Sequence, residues 1–218
     1  MTLSKCKQQV LLFLFLAFMV GTNVQGQSLS LTKNGQAGDR FGTDVSLSGD
    51  GQVMAAGAPF NSSNGVWAGQ VRVYDFYGNQ MGAPINGTRI NDRSGSAISL
   101  NYSGTRIAIG APVNNTNGSA SGQVRIFDWN GTSWVQAGNT LNGSQEGDFF
   151  GNALSLSANG MRLAIGAKGK DSNGEDAGQV RIFDWNGNAW NPVGNPINGN
   201  SFTYLGFSVS LSADGTTV

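Results

Sequence analysis

Short runs of alternating apolar and polar residues recur along this chain. The first clear one, Asp44-Val-Ser-Leu-Ser48, puts Val45 and Leu47 on one face and serines on the other, the period of a half-buried strand. A turn follows at Asp50-Gly51. The next run, Met54 to Ala58, carries small or apolar side chains on both faces, as a strand covered from two sides requires. A third, Gly122-Gln-Val-Arg-Ile-Phe-Asp-Trp-Asn-Gly131, sets Val124 and Ile126 against Arg125 and Phe127 and leaves by an Asn-Gly hairpin turn. A fourth runs from Trp134 to Ala137.

This four-strand pattern repeats. Gly122 to Gly131 returns nearly letter for letter as Gly178 to Gly187, and more loosely as Gly69 to Gly78. With Gly42, Gly95, Gly151 and Gly206 as starting points, four and five positions on stand Ser46-Leu47, Ser99-Leu100, Ser155-Leu156 and Ser210-Leu211, and nine positions on stand Gly51, Gly104, Gly160 and Gly215. Self-similarity at this period marks solenoids, propellers and arrays. Antiparallel four-stranded units that cannot bury both faces alone predict an all-β chain, a β-propeller of face-to-face blades. The units are 36–87, 88–143, 144–199 and a partial fourth at 200–218, whose Val218 falls in the column of Met54, Ile107 and Leu163. The chain therefore reads as a piece of a longer propeller. Residues 27–35 occupy the column of a unit's last strand, where a detached strand would close the ring.

Composition adjusts this picture in a few places. Gly supplies 33 of 218 residues, charged residues only 12%, and there is no His. Lys5 and Lys7 ahead of an apolar run from Val10 to Val20 read as a secretory signal over 1–26. Without it the chain has no cysteine and a small negative net charge, which predicts neither nucleic-acid binding nor membrane insertion. The expected place is secreted or cell-surface.

The Phe41-Gly42 and Phe150-Gly151 openings, with Gly57-Ala-Pro59 and Gly110-Ala-Pro112 after the second strand, resemble FG-GAP repeats, the blades of integrin α-type propellers. The resemblance implies a seven-bladed extracellular interaction module, often with calcium in blade loops. At the family's metal loop this chain has only Ser48-Gly-Asp-Gly51, Tyr102-Ser-Gly104 or Ser157-Ala-Asn-Gly160, with one carboxylate at most.

Candidate chemistry gathers in the loops between second and third strands. Asn64-Gly65, Asn117-Gly118 and Asn173-Gly174 recur there while other positions change, and varied residues on a fixed scaffold are how loops carry binding. Candidate ligand-binding residues are Trp67, Asn117, Lys170, Asp171 and Glu175. Asp171, Asn173 and Glu175 have the every-second-residue spacing of an oxygen-ligand loop, with Asp176 beside them, so calcium is the one cofactor considered. Arg72, Arg125 and Arg181 recur with Asp75, Asp128 and Asp184, and Trp129, Trp134, Trp185 and Trp190 recur in pairs; a ligand ring and a sugar-stacking surface are imaginable, but packing between blades is the plainer reading. Asn61, Asn86, Asn101, Asn114, Asn117, Asn130 and Asn142 head Asn-X-Ser/Thr triplets, glycan acceptors in a eukaryotic host. Without imidazole there is no Ser-His-Asp site, and the acids sit in repeated columns, so no enzyme is expected. The expected function is binding of an extracellular protein or glycan; alternatives are a spacer in a larger surface protein or an accessory part of a secreted carbohydrate-active enzyme.

Overall fold

Three antiparallel sheets lie in sequence order in the computed structural model, which describes residues 32–218. The signal segment 1–26 and residues 27–31 of the expected closing strand lie outside the described residues, and 32–35 form no strand. The first sheet holds β1 (Val45–Leu47), β2 (Val53–Ala58), β3 (Gln70–Asp75) and β4 (Ile85–Asn86). The second holds β5 (Ala97–Leu100), β6 (Arg106–Ala111), β7 (Gln123–Trp129), β8 (Trp134–Gln136) and β9 (Leu141–Asn142), the last two pairing with β7 as one interrupted fourth strand. The third holds β10 (Ala153–Leu156), β11 (Arg162–Ala167), β12 (Gln179–Trp185) and β13 (Trp190–Asn198). The described chain has no helix, so the all-β propeller architecture read from the sequence stands, as an unclosed arc of blades.

The repeat register is visible in the backbone. Gly42, Gly95, Gly151 and Gly206 have φ of +86°, +89°, +86° and +85°. The amides of the first three donate to the carbonyls of Gly57, Gly110 and Gly166 at 2.8, 2.9 and 2.9 Å. In each blade the Phe-Gly or equivalent opening is thus tied to the Gly-Ala of its second strand.

The hydrophobic core lies between the sheets. One cluster joins Val53, Ala55, Val71 and Val73 of the first sheet to Ile98, Leu100, Ile107, Ile109 and Phe127 of the second. Another joins Ala108, Val124 and Ile126 of the second to Leu156, Leu163, Ile165, Phe183 and Trp190 of the third. Strand β6 therefore turns large residues (Ile107, Ile109) toward the preceding blade and smaller ones (Ala108, Gly110) toward the following one. Each buried Val, Leu or Ile contributes roughly 1.5–3 kcal/mol, and only a neighbouring blade completes that burial. Val45 and Leu47, at the positions of Ile98 and Leu100, are 60% and 67% exposed because no described sheet covers them.

Two devices set how closely blades stack. A Cβ on Gly57, Gly110 or Gly166 would fall on the carbonyl oxygen of Gly95, Gly151 or Gly206 in the next blade, which is the steric reason glycine stands in the Gly-Ala-Pro position. The second device is a serine ladder. Ser46, Ser99 and Ser155 accept the amides of Leu100, Leu156 and Leu211 in the following unit at 3.0, 2.9 and 2.9 Å. Ser46, opposite Val45 and Leu47, and its counterparts do not simply face water: they satisfy outward amides of the next unit's first strand segment.

The fourth unit keeps the glycine position and the turn, where Ser212 Oγ donates to Asp214 as Ser48 Oγ does to Asp50, both at 2.6 Å. It forms no strand, since no second strand is present among the described residues to pair with it. In the first blade, the shorter turn at Asn79–Gly82 leaves an isolated bridge between Tyr74 and Gln80 where the second has β8.

Candidate functional site

The loops that follow β2, β6 and β11 (59–69, 112–122 and 168–178) share one end of the blades with the segments that enter the next blade (87–96, 143–152 and 199–207). Backbone hydrogen bonds strap each pair together. Arg93, Phe149 and Tyr204 donate to the carbonyls of Trp67, Ala120 and Asp176 at 3.1, 3.0 and 2.9 Å. All six residues have left-handed backbone, with φ between 49° and 52°. A side chain in that region costs about 1–2 kcal/mol, so such a conformation persists only where the surroundings over-determine it.

A side-chain acceptor fixes each left-handed turn. Ser62 Oγ, Asn115 Oδ1 and Asp171 Oδ1 accept the amides of Trp67, Ala120 and Asp176 at 3.1, 2.8 and 2.7 Å. Asn64, Asn117 and Asn173 donate their side-chain amides to the carbonyls of Gly87, Gly143 and Gly199. Two of the candidate ligand residues, Asn117 and Asp171, therefore serve the loop framework. The same holds for the proposed cation loop. Asp171 faces the Asp176 amide, Asn173 turns its nitrogen toward Gly199, and Asp176 Oδ2 accepts the Tyr204 hydroxyl at 2.9 Å. Among the described residues no three His, Cys, Asp or Glu side chains converge as a metal site.

Lys170 takes a different role again. Asp39, Asp92 and Asp148 are buried, three residues before each opening glycine, and hold loop amides; Asp148 accepts Ser144 N, Ser144 Oγ and Gln145 N at 2.8–3.0 Å. Asn114 donates to Asp92 at 2.8 Å. At the matching position in the third blade Lys170 lies 3.3 Å from Asp148, with side-chain exposures of 11% and 4%, and also reaches Ser144 Oγ and Gln145 Oε1.

What these framework bonds leave facing solvent at the loop tips is Val66 and Trp67, Ser119, and Glu175. At the first junction Val66, Trp67 and Ile90 are 58%, 45% and 64% exposed, and Asn91 N donates to Val66 O at 2.8 Å, holding the two loops side by side. Trp67 meets Phe60 edge-on, with centroids 5.7 Å apart. At the third junction Phe202, Tyr204 and Phe207 are exposed, with Lys168 over the Phe149 and Phe207 rings.

The opposite end of the blades is occupied by structural bonds. Asp128 and Asp184 pair not with Arg125 and Arg181 but with Arg106 and Arg162, each bidentate, at 2.6 and 2.7 Å. The same arginines reach the carbonyls of Gly160 and Gly215 in the next unit. Sequence reading missed this pair because Val53 stands at the position in the first blade and breaks the column. Asp75 instead holds Asn79. Arg125 is buried, donates to Asn86 O at 2.7 Å and lies over Phe127; burial lowers its pKa, opposed by Asp92. The tryptophans pack as the plainer reading expects: Trp129 stacks on Trp134 and Trp185 on Trp190, Trp134 Nε1 donates to Met81 O of the preceding blade, and Trp190 is 2% exposed. A shallow pocket of about 290 Å³ here is lined by Asn101, Arg106, Asp128, Trp129, Asn159 and Met161, its charged groups already paired.

Arg162 holds the Asp184 carboxyl below the usual carboxylate range through its side-chain hydrogen bonds. A lowered acid stabilises the fold above its ordinary pKa, and that contribution is lost as pH falls through the lowered value. Arg162→Met is therefore expected to narrow the stability difference between pH 7 and pH 3. The change should be less than about 1 kcal/mol, because both partners are partly solvent-exposed; urea unfolding at the two pH values reads it.

Of the triplet asparagines, Asn61, Asn101 and Asn114 are buried. Asn86 and Asn142 accept hydrogen bonds from Gln70 and Gln123, and the Asn117 side-chain nitrogen is committed to Gly143. Asn130 is exposed, and its Oδ1 holds the hairpin while its nitrogen takes no part in those bonds.

Two segments of the chain, 27–74 and 139–183, match the FG-GAP repeat family. No curated protein matches it. Among solved structures it is similar to Kuenenia stuttgartiensis hydrazine synthase, at 18% identity and a TM-score of 0.51, over 78% of this chain and 53% of that one. The chain thus spans about half of that solved chain, and at this identity the likeness speaks for the fold alone. With glycine openings and Gly-Ala turns in register through successive blades, the two matched segments are FG-GAP repeats.

Proposed function

We propose that this chain is a non-catalytic recognition module of a secreted or cell-surface protein, binding an extracellular protein or glycan through the strapped loop end of its blades. The observation that carries this reading is the contrast within each loop. Framework positions are fixed by hydrogen bonds that recur from blade to blade, while Val66, Ser119 and Glu175 at the tips differ in kind and face solvent. Preorganised loops with exposed aromatic residues bind with less ordering entropy to lose, and tryptophan and tyrosine are the residues that anchor such contacts. FG-GAP repeats are typical of extracellular proteins, and no helix among the described residues is long and apolar enough to cross a membrane.

Arrays of glycans and extracellular proteins probed with the full chain test the proposal. Trp67→Ala and Glu175→Ala are expected to weaken a detected ligand at least tenfold with unchanged unfolding midpoints. Asp171→Ser, which keeps the acceptor that Ser62 supplies in the first blade, should retain binding. A ligand indifferent to both tip substitutions would move recognition off these loops.

A further inference from the structure

At the junction of the first two blades the exposed tip stands beside two arginines without acidic partners. Arg40 Cζ lies 4.3 Å and Arg93 Cζ 4.9 Å from the centroid of the same Phe60 ring, and Trp67 meets that ring edge-on. The two guanidinium groups are therefore no farther apart than the sum of those distances. Both arginines are left-handed, with φ of 54° and 52°, and Arg93 is bonded through its amide to Trp67 O. Ser62 Oγ, which accepts Trp67 N and reaches Phe60 O, fixes the two aromatic residues relative to each other.

The nearest acids in the chain do not neutralise this pair. Asp39 is turned to the amides of Gln36 and Phe41. Asp92 accepts from Thr88, Arg89 and Asn114. The ion pairs among the described residues are Arg106 with Asp128, Arg162 with Asp184 and Lys170 with Asp148. The Arg93 Nε is moreover buried with no hydrogen-bond partner. A guanidinium group offers a planar fork of donors, and a planar carboxylate is the acceptor whose geometry matches that fork.

We infer that Arg40, Phe60, Trp67 and Arg93 form a subsite for a carboxylate-bearing sugar, the guanidinium groups taking the carboxylate and the exposed indole taking the apolar face of the ring. This rests on the recognition role proposed above and gives its first junction a ligand class. Two cations supply the charge, and the half-exposed tryptophan favours a ring over an extended acidic peptide, which would need charge without a stacking plane. The corresponding positions elsewhere lack the set: Val113 and Gly169 replace Phe60, and Ala120 and Asp176 replace Trp67.

Isothermal titration of the full chain with oligogalacturonate, against the matching neutral oligosaccharide and polyglutamate, tests it. The expected result is binding of the uronate, weakening with added salt and lost roughly tenfold or more in Arg40→Gln, Arg93→Gln and Trp67→Ala. Arg40 is exposed, so its variant remains informative if Arg93→Gln disturbs the loop, and unfolding midpoints identify any such disturbance. Equal binding of the neutral sugar, or polyglutamate binding that ignores Trp67→Ala, would overturn the assignment, as would no uronate binding. If uronate binding is absent while another array ligand depends on Trp67 but not on Arg40 or Arg93, the recognition role stands and the subsite fails alone.

Discussion

Gly110→Ala is expected to destabilise the chain by about 2–4 kcal/mol. Gly110 has no unusual backbone requirement; its added Cβ would land on the Gly151 carbonyl oxygen of the next blade, backbone that cannot swing aside as a flexible side chain would. Overpacking of this kind costs about 1–3 kcal/mol. The bond from Gly95 N to Gly110 O, 2.9 Å long, would be strained or lost, adding about 0.5–1.5 kcal/mol. Gly51→Ala is the control. Gly51 has φ of +71° and open space around its missing Cβ, so alanine there meets only the left-handed penalty, about 1–2 kcal/mol. Urea unfolding of both variants separates close approach from backbone conformation. A Gly110→Ala protein no less stable than Gly51→Ala would mean the blades do not stack at that distance.

Lys170→Ala carries the second large effect. It would leave the Asp148 carboxylate, 4% exposed, without its cation, and stranding one partner of a buried pair costs several kcal/mol. Asp148 keeps three loop hydrogen bonds, which reduces the expected loss to about 2–4 kcal/mol. Lys170→Asn should recover most of it, because Asn114 already serves Asp92 in the second blade by that arrangement. If Lys170→Ala were neutral to stability yet abolished ligand binding, Lys170 would be the ligand residue its sequence position first suggested.

The fold was legible because every structural constraint recurs. Gly57, Gly110 and Gly166 stand in one column and meet one obstacle, and a spacing repeated across units reveals such a column without any coordinates. The loop site was legible only in part. Asp171 and Lys170 differ from their counterparts in the other blades, yet aligned position by position Asp171 stands with Ser62 and Asn115, three residue types sharing an oxygen acceptor. The common chemistry was hidden by the differing names. Arg106 and Arg162 were missed for the reverse reason, one blade lacking the residue, and Asp128 and Asp184 were assigned to the more regular arginine column. The cluster around Phe60 had no sequence signal, since Arg40, Phe60, Trp67 and Arg93 come from three loop segments and meet only when two blades are side by side.

That blade-to-blade contact is measurable directly by residue-resolved native-state hydrogen exchange. Leu100 and Leu156 lie on the edge strands β5 and β10, and their amides donate to Ser46 and Ser99 Oγ of the preceding blade. Stacked blades predict that both exchange as slowly as core amides such as Ile109, and that Ser99→Ala speeds Leu156 selectively. Exchange of Leu100 and Leu156 at the rate of free, solvated amides would contradict the arrangement of blades on which every other conclusion rests.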